Sequence, residues 1–250
     1  MRIQNTENLK ILFMGDSITA VTQWVPMFNE IVRPAHFVNI AVSAATWADR
    51  EGTVYDGEPV FGVEGAITYN TIGNQIEKLL RGKDPAHPHY RHNSDYDDFD
   101  IIIVSAGTND AVFAAPLTVD EVNRQFIDEN GALLPLEQAD RKTWPGAMRY
   151  AYENLRRMYP EAVIFYCSPI QAAESVRSFS SIRIKSQVMR LICERISDVG
   201  FIDTFCCGIC GIYETWDVCG RDLADGLHPN PNGSKKIAEY NARAVKSYLF

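Results

Sequence analysis

The chain reads as an α/β protein, a parallel sheet of five strands covered by helices on both sides. Three observations predict this. Five short apolar runs, at 11–14, 37–41, 101–105, 162–167 and 201–205, mostly lack polar alternation, as strands buried on both faces do. Stretches of helical periodicity lie between them, the pattern of right-handed β-α-β units. The 250 residues, 46% hydrophobic and 22% charged, suit one large globular core.

Taken in order, the first run, 11–14, stops at Gly15-Asp16-Ser17. The stretch 18–32 then carries Val21, Trp24, Val25, Phe28, Ile31 and Val32 on one helical face. The second run, 37–41, leads into Val42-Ser43-Ala44-Ala45-Thr46. From 49 to 100 the chain is rich in Gly, Asp, Tyr and His, with one helical pattern at 66–80. A connection of this length inside a compact domain is usually functional, and it reads as a wall or lid beside a site. The third run, 101–105, precedes helical patterns at 117–127 and 143–158; the fourth, 162–167, precedes one at 181–196. After the fifth run comes Asp225-Gly226-Leu227-His228-Pro229, then a helix over 231–249 with Pro231 suited to its first turn. The expected architecture is a three-layer α/β/α sandwich of flavodoxin-like strand order 2-1-3-4-5. It forms one domain over 1–250 with an insertion at 49–100. Such sheets bind ligands beyond the carboxyl ends of their strands, where Ser17, Ala44, Asn109 and Ser168 all fall.

A serine on a sharp strand-to-helix turn exposes its hydroxyl at the sheet edge. Its N–H lies at a helix N-terminus, favourable to a developing oxyanion. Such a hydroxyl needs a base, and Asp225-x-x-His228 supplies one. The carboxylate can accept the Nδ1 proton while Nε2 faces the serine. Taken alone, Asp225 could simply cap a turn and His228 lie at the surface. Asn109, in Ser105-Ala106-Gly107-Thr108-Asn109-Asp110, can donate a side-chain N–H to a tetrahedral intermediate; a plain N-cap is the competing reading. Ser17 and His228 together point to a serine hydrolase.

Other function classes fare worse. A net charge of −8 argues against nucleic-acid or anionic-membrane binding. No stretch approaches the roughly 20 apolar residues of a membrane span. The first ten residues lack the apolar core of a signal peptide, so a cytoplasmic location is expected, and the six cysteines are expected to be thiols. Cys206, Cys207, Cys210 and Cys219 crowd together without the paired spacing of a zinc site. His87, His89 and His92 suit a solvated loop better than a metal. No metal and no cofactor are expected. Trp24 sits at helical spacing and belongs in the core, whereas Trp47, three residues past Ala44, is a candidate substrate wall.

The blocks Gly15-Asp16-Ser17-Ile18, Gly107-Thr108-Asn109-Asp110 and Asp225-Gly226-Leu227-His228-Pro229-Asn230 resemble three of the four motif blocks of the GDSL, or SGNH, hydrolase family, in the family's order and spanning nearly the whole chain. The resemblance implies a flavodoxin-like α/β/α fold and ester hydrolysis by a Ser-His-Asp triad. It makes Ser17 the nucleophile, His228 the base and then the acid, and Asp225 the residue that orients it. The implied oxyanion donors are the N–H of Ser17, the side chain of Asn109 and a glycine N–H. The fourth block departs from the pattern: Asn39-Ile40-Ala41-Val42-Ser43-Ala44-Ala45-Thr46 puts Ala44 where the oxyanion glycine is expected. The donor is a main-chain N–H, which alanine keeps, but the methyl group restricts φ and narrows the pocket. Asp16, Trp47 and Gly107 complete the expected substrate surface.

The expected function is a serine esterase removing a short acyl group, acetyl above all, from a carbohydrate or other small ester. A lipase, lysophospholipase or thioesterase acting on longer chains is the alternative within the enzyme class. A catalytically silent glycan-binding module is the alternative outside it. No nucleic-acid or membrane partner is expected, and a homo-oligomer stays open.

Overall fold

The computed structural model describes residues 6–49, 70–214 and 220–249. Its sheet is parallel throughout, with β1 (Lys10–Gly15), β2 (His36–Asn39), β3 (Ile101–Ser105), β4 (Val163–Cys167) and β5 (Gly200–Ile202) in the order β2-β1-β3-β4-β5. This is the predicted fold class and strand order. The three inner strands are buried almost end to end, which is why they read as unbroken apolar runs. The edge strand β2 differs, with His36, Phe37 and Asn39 exposed. It is covered on one side at most, as an edge allows.

Helices fill two layers. On one face α2 (Trp24–Val32) and α7 (Pro231–Leu249) pack over Ile11, Phe13, Ile101, Ile103 and Phe165. On the other, α3 (Ile72–Lys83), α4 (Val119–Asn123), α5 (Trp144–Met158) and α6 (Phe179–Ile196) pack over Leu12, Met14, Ile102, Val104, Ile164 and Tyr166. Odd and even positions of one strand thus serve opposite layers, the period-two geometry of the pleat.

The structure departs from the periodicity in three places, and in one of them the helix expected over 117–127 is only α4, Val119–Asn123. The stretch expected as one helix is broken into α1 (Ser17–Val21) and α2. Pro26 lies in the first turn of α2, with no N–H to donate and a ring that would clash with a helical carbonyl four residues earlier. Thr22 is extended instead. The helix expected at 66–80 is α3, beginning at Ile72, with the Thr71 side chain accepting the Asn74 N–H. Residues 66–69, and most of the segment expected to form a wall or lid, lie outside the described residues. Among the described residues no helix is long and apolar enough to cross a membrane.

Candidate active site

The turn that carries Ser17 is built by exclusion. Gly15, at the end of β1, has φ +153°, and a Cβ there would lie 2.1 Å from the Ser105 carbonyl oxygen. Only glycine lets β1 pass β3 this closely before the chain turns. The main chain of Gly15 is clamped from the α3 side. Its N–H donates to Gln75 Oε1 at 3.0 Å, and its carbonyl accepts from Gln75 Nε2 at 2.8 Å. Asp16 then caps α1, its Oδ1 accepting the Ile18 N–H at 3.0 Å, and Ser17 is the first helical residue.

Against this serine stands the loop before α7. The Ser17 hydroxyl and His228 Nε2 are 2.8 Å apart, and His228 Nδ1 is 2.7 Å from Asp225 Oδ2. Asp225 Oδ1 accepts the backbone N–H groups of Leu227 and His228 at 2.9 and 2.6 Å. Partial burial works to raise the Asp225 carboxyl pKa, but the His228 N–H, its imidazole and the Leu227 N–H outweigh it and hold the pKa below the ordinary value. An ionised Asp225 accepts only, so the proton shared with it sits on Nδ1 and the Nε2 lone pair is left for the serine. Behind the loop, buried Glu214 accepts the N–H groups of Asp222 and Leu223 at 2.8 and 3.3 Å. Asn230 caps α7 through the N–H groups of Asn232 and Gly233.

The remaining expected donors lie on two neighbouring loops. Ala44 has φ +63°, the left-handed conformation that favours glycine. The backbone here is that of a glycine site although the residue is alanine. Asn109 follows β3, and its Nδ2 donates to the Ala45 carbonyl at 3.1 Å, joining the two loops.

Asp16, Trp47 and Gly107, assigned above to the substrate surface, lie beneath it. Asp16 is 1% exposed and is turned to the helix end. Trp47 is fully buried against Tyr166, ring centroids 4.7 Å apart. Gly107 is buried at φ +119°, where a Cβ would meet the Trp144 ring at 2.9 Å. Local chain position brought these residues to the site's edge, and packing turned them inward. Ser168 is likewise buried, its hydroxyl donating to Asp203 and accepting the Phe205 N–H.

Three supporting residues were missed by sequence reasoning, namely Gln75, Lys185 and Asp110. Lys185 is fully buried in α6, its Nζ donating to the carbonyls of Gly107, Thr108 and Asp110 at 2.9, 3.2 and 2.7 Å. Asp110 accepts the N–H groups of Trp47 (3.1 Å) and Ala48 (3.0 Å) and the Trp144 indole N–H (2.9 Å). A signal existed for two of them. Lys185 falls in register with Ile182, Met189 and Ile192, and Gln75 with Ile72 and Leu79. A polar residue on an apolar stripe must have a partner inside.

In the histidine loop, His87 Nε2 is hydrogen-bonded to Glu77 Oε1 at 2.6 Å. Among the described residues no group of three or more His, Cys, Asp or Glu side chains is placed to hold a metal. Cys219 lies outside those residues.

The sequence profile of the GDSL-like lipase/acylhydrolase family matches residues 13–236. No protein of curated function matches the chain. Among solved structures, a possible lipase from Chitinophaga pinensis DSM 2588 is similar at TM-score 0.58 and 16% identity, over 96% of this chain and 99% of that one. The lipase/acylhydrolase from Enterococcus faecalis aligns at TM-score 0.52 and 15% identity, over 96% of each chain. A carbohydrate esterase family 2 enzyme of Corynascus thermopiles (Myceliophthora fergusii) aligns at TM-score 0.52 and 13% identity, over 100% of this chain and 69% of that one. At these identities the likeness carries the fold.

Proposed function

This chain belongs to the GDSL-like lipase/acylhydrolase family, a family of ester hydrolases, and on that premise we propose that it removes small acyl groups, acetyl above all, from carbohydrate esters. The observation that carries the proposal is the relay Ser17–His228–Asp225, with hydrogen-bond spans of 2.8 and 2.7 Å.

In this reading the Ser17 Oγ attacks the ester carbonyl carbon as its proton passes to His228 Nε2. The imidazolium so formed is stabilised by the ionised Asp225. The carbonyl oxygen becomes an oxyanion, received by the N–H groups of Ser17 and Ala44 and by the Asn109 side-chain amide. As the tetrahedral intermediate collapses, the bond to the leaving oxygen breaks and His228 returns its proton to the departing alcohol. Water then gives a proton to His228 and attacks the acyl-enzyme, releasing the acid and restoring the Ser17 hydroxyl.

The small acyl group is supported by Ala44. Its methyl stands at a glycine-like backbone position with φ +63°, and in this reading it narrows the space left for the acyl group. The carbohydrate is supported by the fold shared with carbohydrate esterases of family 2, one of them, from Clostridium thermocellum, solved in complex with celluohexase (TM-score 0.52, 16% identity). The five described cysteines are free, in keeping with work in a reducing compartment such as the cytoplasm.

The test is a chain-length series of p-nitrophenyl esters and a panel of acetylated sugars, run with wild type and Ser17→Ala. Acetate is expected to be the best substrate, and Ser17→Ala to abolish turnover. A fluorophosphonate is expected to label Ser17. A maximum at butyrate or longer would contradict the small-acyl assignment, and an unlabelled Ser17 in folded protein would point to a silent binding module.

A further inference from the structure

Resting on the esterase reading of the site, we propose that Lys185 is a positioning residue of the oxyanion hole, its ammonium gathering the loop after β3 so that Asn109 presents its amide in one direction. Three observations support this. The three N–H bonds of the ammonium meet three carbonyls, of Gly107, Thr108 and Asp110, at 2.9, 3.2 and 2.7 Å. These carbonyls flank Asn109 on both sides in sequence, so the peptide leading into that residue and the one that follows Asp110 are held by a single cation. The loop would otherwise be loose at its root, because Gly107 at φ +119° occupies a region open mainly to glycine.

The second observation is burial. Lys185 has no exposed surface, and a buried ammonium is rarely the most stable occupant of a core position, where an apolar side chain of similar size does as well or better. The charged groups that face it are Asp110 on the held loop, Asp16 on the nucleophile turn and Arg177 ahead of α6. Burial, resisted chiefly by Asp110, lowers the Lys185 pKa to about 8. A group so placed serves geometry better than stability.

The third observation is where the held loop leads. Asp110, bound through its carbonyl to Lys185, uses its carboxylate to hold the N–H groups of Trp47 and Ala48, three and four residues beyond Ala44. Asn109 reaches the Ala45 carbonyl. The loop held by the cation therefore belongs to a lattice that fixes where Asn109 stands. A transition-state donor must hold its place within a few tenths of an ångström, and such a lattice provides that hold.

The test is a double-mutant cycle on p-nitrophenyl acetate hydrolysis, with Lys185→Met, Asn109→Ala and the double variant. If Lys185 acts through Asn109, Asn109→Ala lowers kcat by roughly 10²-fold. Lys185→Met then lowers kcat roughly 10- to 100-fold with KM changed by less than about twofold, and the double variant is no slower than Asn109→Ala alone. Multiplying losses, or a Lys185→Met enzyme with wild-type kcat, would overturn the proposal. Lys185→Gln keeps a donor in the site and enters the same cycle should Lys185→Met fail to fold; its smaller loss must also vanish in the Asn109→Ala background. Wild-type protein that hydrolyses no ester would overturn the esterase reading and this proposal with it. An active wild type with multiplying losses overturns this proposal alone.

Discussion

Asp16→Asn should change how stability depends on pH, in a direction opposite to most carboxylates. Asp16 is 1% exposed, and burial raises its pKa from the ordinary 3.8 to about 6. The nearby polar groups of Thr108 and the Ile18 N–H pull the other way, and the Asp110 carboxylate adds to the rise. An acid whose folded pKa lies above its unfolded value binds its proton more tightly when folded. Stability is therefore lost as pH climbs through that interval. At about 1.4 kcal/mol per pH unit the full penalty is about 3 kcal/mol at neutral pH. About 2 kcal/mol of it develops between roughly pH 4.5 and 7.5. The substituted asparagine keeps an oxygen to accept the Ile18 N–H, since Asn and Asp cap about equally well, and it carries no charge. Urea unfolding of wild type and Asp16→Asn at both pH values removes every titration the two proteins share. The stability of the variant relative to wild type should rise by about 2 kcal/mol from the lower pH to the higher. A relative stability constant to within about 0.5 kcal/mol, or falling with pH, would refute the reasoning.

Two further perturbations probe the turn and the neighbouring loop. Gln75→Leu leaves the buried Gly15 N–H without its acceptor, while the Gly15 carbonyl keeps the Val42 N–H, and should cost about 1–3 kcal/mol in urea unfolding. Ala44→Gly relieves a left-handed conformation worth roughly 1–2 kcal/mol and loses about 0.5–1 kcal/mol to the greater freedom of the unfolded chain. It should thus leave stability unchanged or raise it by up to about 1.5 kcal/mol, and it should raise butyrate turnover relative to acetate in the chain-length series.

Much of the fold was legible because its determinants are local. Inner strands of a parallel sheet have no wet face, so β1, β3 and β4 announce themselves as apolar runs. The caps and first turns of α5 and α7 follow from Thr143, Pro145, Asn230 and Pro231. The split between α1 and α2 was legible too, through Pro26, but the apolar spacing across it resembles a continuous helix. The short span of α4 within a longer periodic stretch had no such marker.

The site divides along the same line. Sequence by itself determined which residues are candidates for the chemistry, because a Gly-Asp-Ser turn, an Asp-x-x-His pair and an amide at a strand end are each set by residues a few positions apart. Tertiary structure alone decided how these atoms are held and what surrounds them. Gln75 meets Gly15 across 60 residues, and Lys185 meets Gly107 across 78. Trp47 turned into the core rather than toward solvent. Such contacts leave only the trace of a polar residue on an apolar stripe, since hydrophobic periodicity records which face is buried and never what it is buried against.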